Sequence, residues 1–244
     1  MYMTKKDYRE RFYRGWVKGK DLLTQEVVVE ETDLYISAEN DIKEIAERIV
    51  KRYRNEIGGY IKKRPEFRTR LQPLGPDSNA PDIVKDMIRA SKAAGVGPMA
   101  SVAGAMAEFI GKGLLPYSEQ VIVENGGDIF LASGIERTVA IFAGDSPLSQ
   151  KLSIKVRPGD MPLGICTSSG TIGHSLSFGK ADACVIISKS TSLADAVATA
   201  ACNKVNTRED IEPALEFSVS IKGIQGALIV VGKDFGASGN IELA

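Results

Sequence analysis

The alternation of apolar and polar positions predicts a strand pair and a long helix near the start of the chain. Residues 25–36 hold two β-branched runs on either side of the polar segment 30–33, which indicates a hairpin or two short strands at a sheet edge. From Asp41, a predicted N-cap, apolar residues recur at the i, i+3, i+4 spacing of an amphipathic helix that ends before Gly58-Gly59. Its Lys/Arg face is interpreted as solvated, because no aromatic residues interleave with it to stack on bases.

The segment 65–81 marks the main internal boundary. It carries four prolines together with residues that favour turns, so it predicts a connection with little regular structure. Beyond it the pattern predicts further helices and strands. The predicted helices cover residues 82–94, 98–110 and 193–203, and the predicted strands cover residues 120–123, 128–132, 138–143, 152–156, 183–188 and 227–231.

The order of these elements indicates the fold class. Strands and helices are mixed, but they do not alternate in the strict βαβ order that builds a parallel sheet. A chain of 244 residues, 43% of them hydrophobic, is long enough to bury a sizeable core. We therefore predict an α+β fold in which residues 1–244 form a single domain, with the chemistry confined to residues 95–205.

Charge and cysteine content narrow the range of partners and compartments. The 31 basic residues balance the 31 acidic ones, so the molecule offers no field that would gather nucleic acid or an anionic membrane. Three cysteines without a CxxC pair favour a reducing compartment. The charged first twenty residues lack the apolar region of a signal peptide, and no stretch reaches the ~18 apolar residues of a membrane span. We predict a cytoplasmic protein that binds a small-molecule ligand and neither nucleic acid nor membrane.

The first candidate binding element is a Gly-Gly turn between two predicted strands. It reads Asn125-Gly126-Gly127-Asp128. Paired glycines let a ligand approach backbone N–H groups, which suits a phosphate or pyrophosphate, while Asn125 and Asp128 either contact ligand hydroxyls or hold the turn. The alternative is a plain hairpin turn of the kind that Asn-Gly favours, and spacing alone favours this alternative.

The second candidate element places a cysteine, several hydroxyls, four glycines and the only histidine of the chain within residues 164–179. This composition resembles an anion-binding loop. The histidine suits acid or base chemistry near neutral pH, and the cysteine suits nucleophilic attack if N–H groups stabilise its thiolate. The alternative is a surface loop with a buried, inert cysteine, which for the cysteine alone is favoured. The candidate residues are Cys166 and His174 for catalysis and Ser168, Ser169 and Gly170 for ligand binding.

The third candidate element is a predicted helix that carries a carboxylate and a hydroxyl on one face. Asp195 and Thr199 are i and i+4 neighbours with Cβ atoms ~6 Å apart, so they can share an oxygen-seeking cation such as Mg²⁺. An Asp in the first turn of a helix is also favoured by the helix dipole, and taken alone the pair fits that role better.

Together and in this order, the three elements resemble the ApbE superfamily of flavin transferases. That family has a small-residue helix, an N-x-G-G-D/E motif, a Ser-Gly turn followed by a histidine, and an A-D-A-x-A-T-A helix. The resemblance spans roughly residues 95–204, and the last motif is the most specific. The counterparts here are residues 97–110, residues 125–128, Ser169-Gly170 with His174, and residues 194–200.

The resemblance implies both a fold and a ligand. The fold would be ApbE-like and T-fold-like, with mixed, largely antiparallel sheets and packed helices, and it favours a homo-oligomer. The ligand would be FAD, held by the Gly-Gly turn and adjoining loops, with a divalent cation bound partly by Asp195 and Thr199. Such a cation would neutralise the pyrophosphate and make its cleavage feasible.

The chain departs from the flavin transferases at two polar elements. Residues 175–179 replace an Asp-Pro-x-Thr-Gly element, and residues 97–102 lack the lysine and aspartate of a Lys-Gly-Tyr-x-x-Asp element. Residues 96–104 and 166–175 instead resemble a cytoplasmic branch of the superfamily that occurs in archaea and bacteria.

Three functions follow as alternatives. The first is an ApbE-like protein, a candidate transferase, that binds a flavin or another phosphate-bearing ligand with a divalent cation. The second is a sulfur-transfer protein in which Cys166 carries a persulfide, as the resemblance to the cytoplasmic branch implies through a link to sulfur assimilation. The third is a non-catalytic subunit that uses the same cleft as a docking surface.

Overall fold

The computed structural model describes residues 21–172 and 178–244 of the chain. These residues form the strands β1 (Leu23–Val29), β2 (Thr32–Ala38), β3 (Val121–Asn125), β4 (Asp128–Ala132), β5 (Arg137–Ala140), β6 (Ser153–Val156), β7 (Leu163–Ser168), β8 (Ala183–Ser188), β9 (Ile224–Val231), β10 (Asp234–Gly239) and β11 (Glu242–Leu243). The helices are α1 (Lys43–Lys63), α2 (Glu66–Thr69), α3 (Asp82–Ala94), α4 (Val102–Leu114), α5 (Thr191–Cys202) and α6 (Ile211–Ser220).

Eight strands build one large sheet in the order β1-β2-β3-β4-β7-β8-β9-β10. Every neighbouring pair in it is antiparallel. Strands β5, β6 and β11 form a separate antiparallel sheet. The predicted α+β class and the largely antiparallel sheets are confirmed, and the predicted hairpin is β1 with β2, where β1 is the edge strand.

Alternate side chains of each strand in the large sheet point to opposite faces and pack into different hydrophobic cores. In β3, Val121 and Val123 pack among the helices, while Ile122 between them packs with the apolar residues of the small sheet. In β8, Cys184 faces the helices and Val185 faces the small sheet. This period of two is the one expected for a strand buried on both faces. The result is three layers, with the helices on one side of the large sheet and the small sheet on the other.

Helices α3 and α4 meet at a sharp bend. A 3₁₀ turn at Pro98–Ser101 leads into α4, and the chain direction changes by 103° across the break. At the bend, a Cβ atom on Gly97 would lie 1.8 Å from the carbonyl oxygen of Arg70, so only glycine allows this approach. Over the described ranges, no single helix is long and apolar enough to cross a membrane; α3 and α4 reach that length and apolarity only as a bent pair.

Helix α1 is longer than its sequence predicts. It continues through Gly58-Gly59 to Lys63, because Ile57 and Tyr60 are buried on either side of the glycine pair and hold the helix against the core. Tertiary packing here outweighs the low helix propensity of glycine, about 1 kcal/mol per residue. The N-cap is Ile42 and not Asp41, although the Asp41 carboxylate accepts a hydrogen bond from the Lys43 amide at 3.2 Å.

The prediction of a loop over residues 164–179 was wrong in its first part. Residues Leu163–Ser168 are β7, an interior strand between β4 and β8. Glycine is uncommon in strands, so the sequence pattern does not indicate one here. Gly164 is nevertheless needed, because a Cβ atom would lie 2.5 Å from the Cα of Thr191. The pattern also missed α6, β10 and β11, as well as the short α2 inside the segment 65–81; β10 reads Asp-Phe-Gly-Ala-Ser-Gly and carries little of the apolar alternation that identifies a strand.

Candidate functional site

Helix α5 places Asp195 against the first turn of α4. The backbone amide of Gly104 donates a hydrogen bond to Asp195 Oδ2 at 2.8 Å. A Cβ atom on Gly104 would lie 2.7 Å from the Cβ of Asp195 and 2.5 Å from the carbonyl oxygen of Thr191, so the two helices approach this closely only because residue 104 is glycine. Thr199 lies one turn further along the same face of α5 and is half-buried.

The Gly-Gly turn is a two-residue hairpin between β3 and β4. Asn125 pairs with Asp128, and Gly126 has a φ of +69°, a left-handed conformation that favours glycine. The hairpin interpretation is therefore confirmed. The side-chain amide of Asn125 also donates to the carbonyl oxygen of Ala103 at 3.0 Å, so the turn is fixed to the same end of α4 that holds Asp195.

The end of β7 meets this turn from the other side. Thr167 donates its amide to the carbonyl oxygen of Gly127 at 3.0 Å, and Asp128 pairs with Cys166 across β4 and β7. A Cβ atom on Gly127 would lie 2.8 Å from the Thr167 carbonyl oxygen. The first and second sequence elements are therefore in direct contact.

The Ser-Gly turn that follows β7 is fixed near the C-terminal end of α5. The Gly170 amide donates to the carbonyl oxygen of Ala181 at 2.9 Å. A Cβ atom on Gly170 would lie 1.9 Å from the carbonyl oxygen of Gly179, and one on Gly179 would lie 1.7 Å from the carbonyl oxygen of Cys202. Because Gly170 and Gly179 have no side chains, this turn can pack towards the helix that carries Asp195 and Thr199.

The Ser169 hydroxyl forms hydrogen bonds within the turn. The Ser169 hydroxyl accepts the amides of Thr171 and Ile172 at 3.1 and 3.0 Å, which stabilises the turn itself. Ser168 is buried at the end of β7. His174, the predicted acid or base, lies outside the described residues.

Two buried carboxylates, those of Asp128 and Asp195, determine the electrostatics of the site. Burial raises the pKa of Asp128 to about 7, although the Cys166 side chain and the Thr167 amide act in the opposite direction. Burial and then the negative charge of Asp128 raise the pKa of Asp195 well above its ordinary value, against the lowering effect of the Gly104 and Ala103 amides. Two acids that are close together and desolvated resist ionising together.

Cys166 lies beside these carboxylates as a buried thiol. Burial and the charges of Asp128 and Asp195 raise its pKa well above the ordinary value, and its Sγ donates to the carbonyl oxygen of Thr191 at 3.3 Å. A reactive cysteine needs an environment that stabilises the thiolate, and this one stabilises the thiol. The geometry therefore fits the inert interpretation of Cys166 and gives the persulfide hypothesis no support.

The donor set suits a cation bound mainly by oxygen. No group of three or more His, Cys, Asp and Glu side chains in the described part of the chain is arranged to hold a metal ion. Asp128 Oδ1, however, is a buried carboxylate oxygen without a hydrogen-bond partner in those same residues. Carboxylate, hydroxyl and carbonyl oxygens with phosphate oxygens from a substrate are the usual environment of Mg²⁺.

A separate polar cluster lies at the N-terminal end of α5. Glu108 of α4 accepts hydrogen bonds from the Ser192 amide at 3.2 Å and the Ser190 hydroxyl at 3.3 Å, and it pairs with Lys112 at 2.6 Å. Asp86 of α3 is buried nearby, and burial raises its pKa. These contacts cap the helix with a carboxylate, which the helix dipole favours.

Sequence reasoning missed the residues of α4 that complete the site. Ala103 and Gly104 supply the backbone groups that bind Asn125 and Asp195. The signal was present in the sequence as a run of small residues at 97–110, but backbone donors and acceptors have no residue-type signature. The structure thus brings Asn125, Asp128, Cys166 and Asp195 together around the start of α4.

Solved structures with a similar fold include flavin transferases. The flavin transferase ApbE from Vibrio cholerae superposes with a TM-score of 0.59 at 14% sequence identity, covering 91% of this chain and 97% of that one. The ApbE protein from Thermotoga maritima gives a TM-score of 0.58 at 12% identity and covers 89% and 97%. At this level of identity the likeness establishes the ApbE fold.

Sequence comparison identifies the family. A family model described as AbpE bacteria matches residues 14–237. A UPF0280 protein from Methanococcus aeolicus is 40% identical over 226 residues, covering 90% of this chain and 91% of the relative, and one from Methanocaldococcus jannaschii is 38% identical over 221 residues, covering 88% and 90%. The chain belongs to this family, within the ApbE superfamily.

Proposed function

We propose that this protein is a flavin-related transferase that binds FAD together with a divalent cation at Asp195 and Thr199. The observation that carries the proposal is the convergence of the α4 start, the Gly-Gly turn and the A-D-A-x-A-T-A helix on a buried carboxylate pair. The similar structures described as flavin transferases support the choice of a flavin as ligand.

Electrostatics explains why the proposal includes a cation. Ionised buried carboxylates repel a pyrophosphate, so an anionic ligand can bind beside Asp128 and Asp195 only if protons or a cation neutralise them, and a cation also attracts the ligand. Mg²⁺ meets this need, since it is held by one or two carboxylates and by substrate phosphates. When bound, it would stabilise the charge that develops as the pyrophosphate is cleaved.

The chain's own groups have distinct parts in this proposal. Asp195 is oriented by the Gly104 amide, and its carboxylate would be the charged ligand of the cation. The Gly-Gly turn, of which Gly127 is exposed, offers backbone N–H groups to the phosphates. Asn125 is held by Ala103 and serves to position the turn.

Equilibrium dialysis of the full chain against FAD tests the proposal. We expect FAD binding that requires Mg²⁺ and weakens at least about tenfold in Asp195→Ala, because a direct ligand matters no less than an outer-shell partner. Thr199→Ala should weaken it less, since a neutral ligand is lost. Glu209→Ala is the control, because Glu209 is exposed on the surface and its ion pair is with Arg208, which is exposed too. FAD binding that is independent of Mg²⁺ and unchanged in both site variants would contradict the proposal.

The proposed location is the cytoplasm, and the proposed ligand is a small molecule. The three cysteines are free thiols and buried, which suits a reducing compartment. Self-association as a homo-oligomer is part of the same proposal, and light scattering of the purified chain tests it directly.

A further inference from the structure

Asp128 has an oxygen that the surrounding protein leaves unsatisfied. The residue is 8% exposed, and its Oδ1 has no hydrogen-bond partner in the described ranges. A buried polar atom without a partner costs about 1–3 kcal/mol, and more when charged. A carboxylate kept in that state calls for a ligand that the protein itself does not provide.

Asp128 and Asp195 are both held at the start of α4. Asp128 on β4 pairs with Asn125, whose side-chain amide donates to the Ala103 carbonyl oxygen at 3.0 Å, and Asp195 on α5 accepts the Gly104 amide at 2.8 Å. Between β4 and α5 lies Cys166 of β7, which is paired with Asp128, bonded to the α5 backbone and influenced by both charges.

Among residues 21–172 and 178–244, no lysine or arginine forms an ion pair with Asp128 or Asp195. By contrast, buried Glu108 pairs with Lys112. Neutral dipoles offset only part of the energy of two desolvated carboxylates, so a cation or a proton must supply the rest.

We propose that Asp128 and Asp195 together bind one divalent cation, which gives the site two carboxylate ligands from different elements of the fold. The inference rests on the proposed cation site at Asp195 and adds Asp128 to it. Two carboxylates balance the charge of the ion before any phosphate arrives. The cation should therefore bind to the protein alone, and FAD should bind to the loaded site.

Titration of the full chain with Mn²⁺, followed by electron paramagnetic resonance of the free ion, tests this without FAD. Asp128→Asn and Asp195→Asn should each weaken Mn²⁺ binding at least about tenfold. Asp86→Asn is the matched control, since Asp86 is also buried with an unpartnered oxygen, but its carboxylate already pairs with Arg89 and so needs no bound cation. It should stay within about twofold of the unaltered chain.

The outcomes separate this inference from the proposed function. If Asp195→Asn loses Mn²⁺ and Asp128→Asn does not, the two-carboxylate site is wrong while the proposed cation at Asp195 stands. If the unaltered chain binds no Mn²⁺ without FAD but binds FAD in a Mg²⁺-dependent way, the two-carboxylate site is again wrong. If it binds neither, both proposals fall.

A second variant guards against a folding defect in Asp128→Asn. Asp128→Cys, made in a Cys166→Ser chain so that the two neighbouring strands present no dithiol, replaces a carboxylate by a thiolate of similar reach, which favours Cd²⁺ over Mn²⁺. A ligand at position 128 predicts a ratio of Cd²⁺ to Mn²⁺ affinity at least about tenfold above that of the Cys166→Ser chain. An unchanged ratio would overturn the inference.

Discussion

The amide of Gly104 and the carboxylate of Asp195 are joined by a 2.8 Å hydrogen bond that fixes α4 to α5 at the centre of the site. The bond is possible because residue 104 has no side chain, since a Cβ atom would overlap both Asp195 and Thr191. The packing of α4 on α5 and the orientation of the Asp195 carboxylate thus both depend on glycine at position 104.

Gly104→Ala should therefore destabilise the fold and disturb the site. We expect a loss of about 1–3 kcal/mol in the free energy of unfolding, the range found for overpacked cores, together with weaker Mn²⁺ binding. Urea denaturation gives the stability. Gly58→Ala in α1 is the control, because nothing lies within 4 Å of its Cβ position, and it should stabilise the chain by about 0.5–1 kcal/mol. Equal effects of the two substitutions would show that the contact at Gly104 is not restrictive.

Arg137→Lys should destabilise the protein although it keeps the charge. The Arg137 side chain is 1% exposed and donates to both carboxylate oxygens of Asp21 at 2.7 Å and to Gln120 and Ser133. Lysine has no planar fork to make these bonds at once, so we expect a loss of about 1–3 kcal/mol in urea denaturation.

The control for Arg137 is Arg208→Lys. Arg208 pairs with Glu209, both are exposed, and such pairs contribute little. We expect a change within about 0.5 kcal/mol. A loss in Arg137→Lys no larger than this would contradict a structural role for the buried guanidinium.

Asp86→Asn should stabilise the protein at alkaline pH relative to acid pH. Burial raises the folded-state pKa of Asp86, so folding favours its protonated form. Its contribution to stability is fully present below the unfolded pKa and is lost as the pH rises through the folded pKa. The gain from the substitution should therefore be larger at about pH 8 than at about pH 4. Unfolding curves of both chains at each pH measure it, and a gain independent of pH would contradict the assignment.

The thiols should be unreactive in the native protein. All three cysteines are buried, and burial helps to raise the pKa of both Cys166 and Cys184. We expect no fast reaction with Ellman's reagent until guanidinium exposes three thiols per chain. Rapid labelling of one native thiol that disappears in Cys166→Ser would revive the sulfur-transfer alternative.

The sequence predicts the presence of the helices and strands better than the residues at which they begin and end. Periodicity located α3, β4 and β8, because apolar residues dominate them. It ended α1 too early at Gly58-Gly59, since buried Tyr60 beyond the glycines contributes through tertiary contacts that local propensity does not contain. It took β7 for a loop, because glycine and serine occupy positions where α5 lies directly on the strand.

The candidate site was predictable in its motifs and not in its contacts. The order of the motifs and their resemblance to the ApbE superfamily singled out the Gly-Gly turn and Asp195, whereas spacing alone favoured structural roles for both. That Asp128 and Asp195 influence one another follows from the pairing of β4 with β7 and from the packing of α5, both of which are long-range. The role of the α4 backbone follows only from the three-dimensional structure.

The most direct test of the central claim is an anomalous difference map from a crystal of the full chain grown with Mn²⁺ and FAD. We expect one Mn²⁺ peak at coordination distance from the Asp195 carboxylate, with the FAD pyrophosphate beside it at the Gly-Gly turn. Ordered FAD bound elsewhere, with no peak at Asp195, would contradict it.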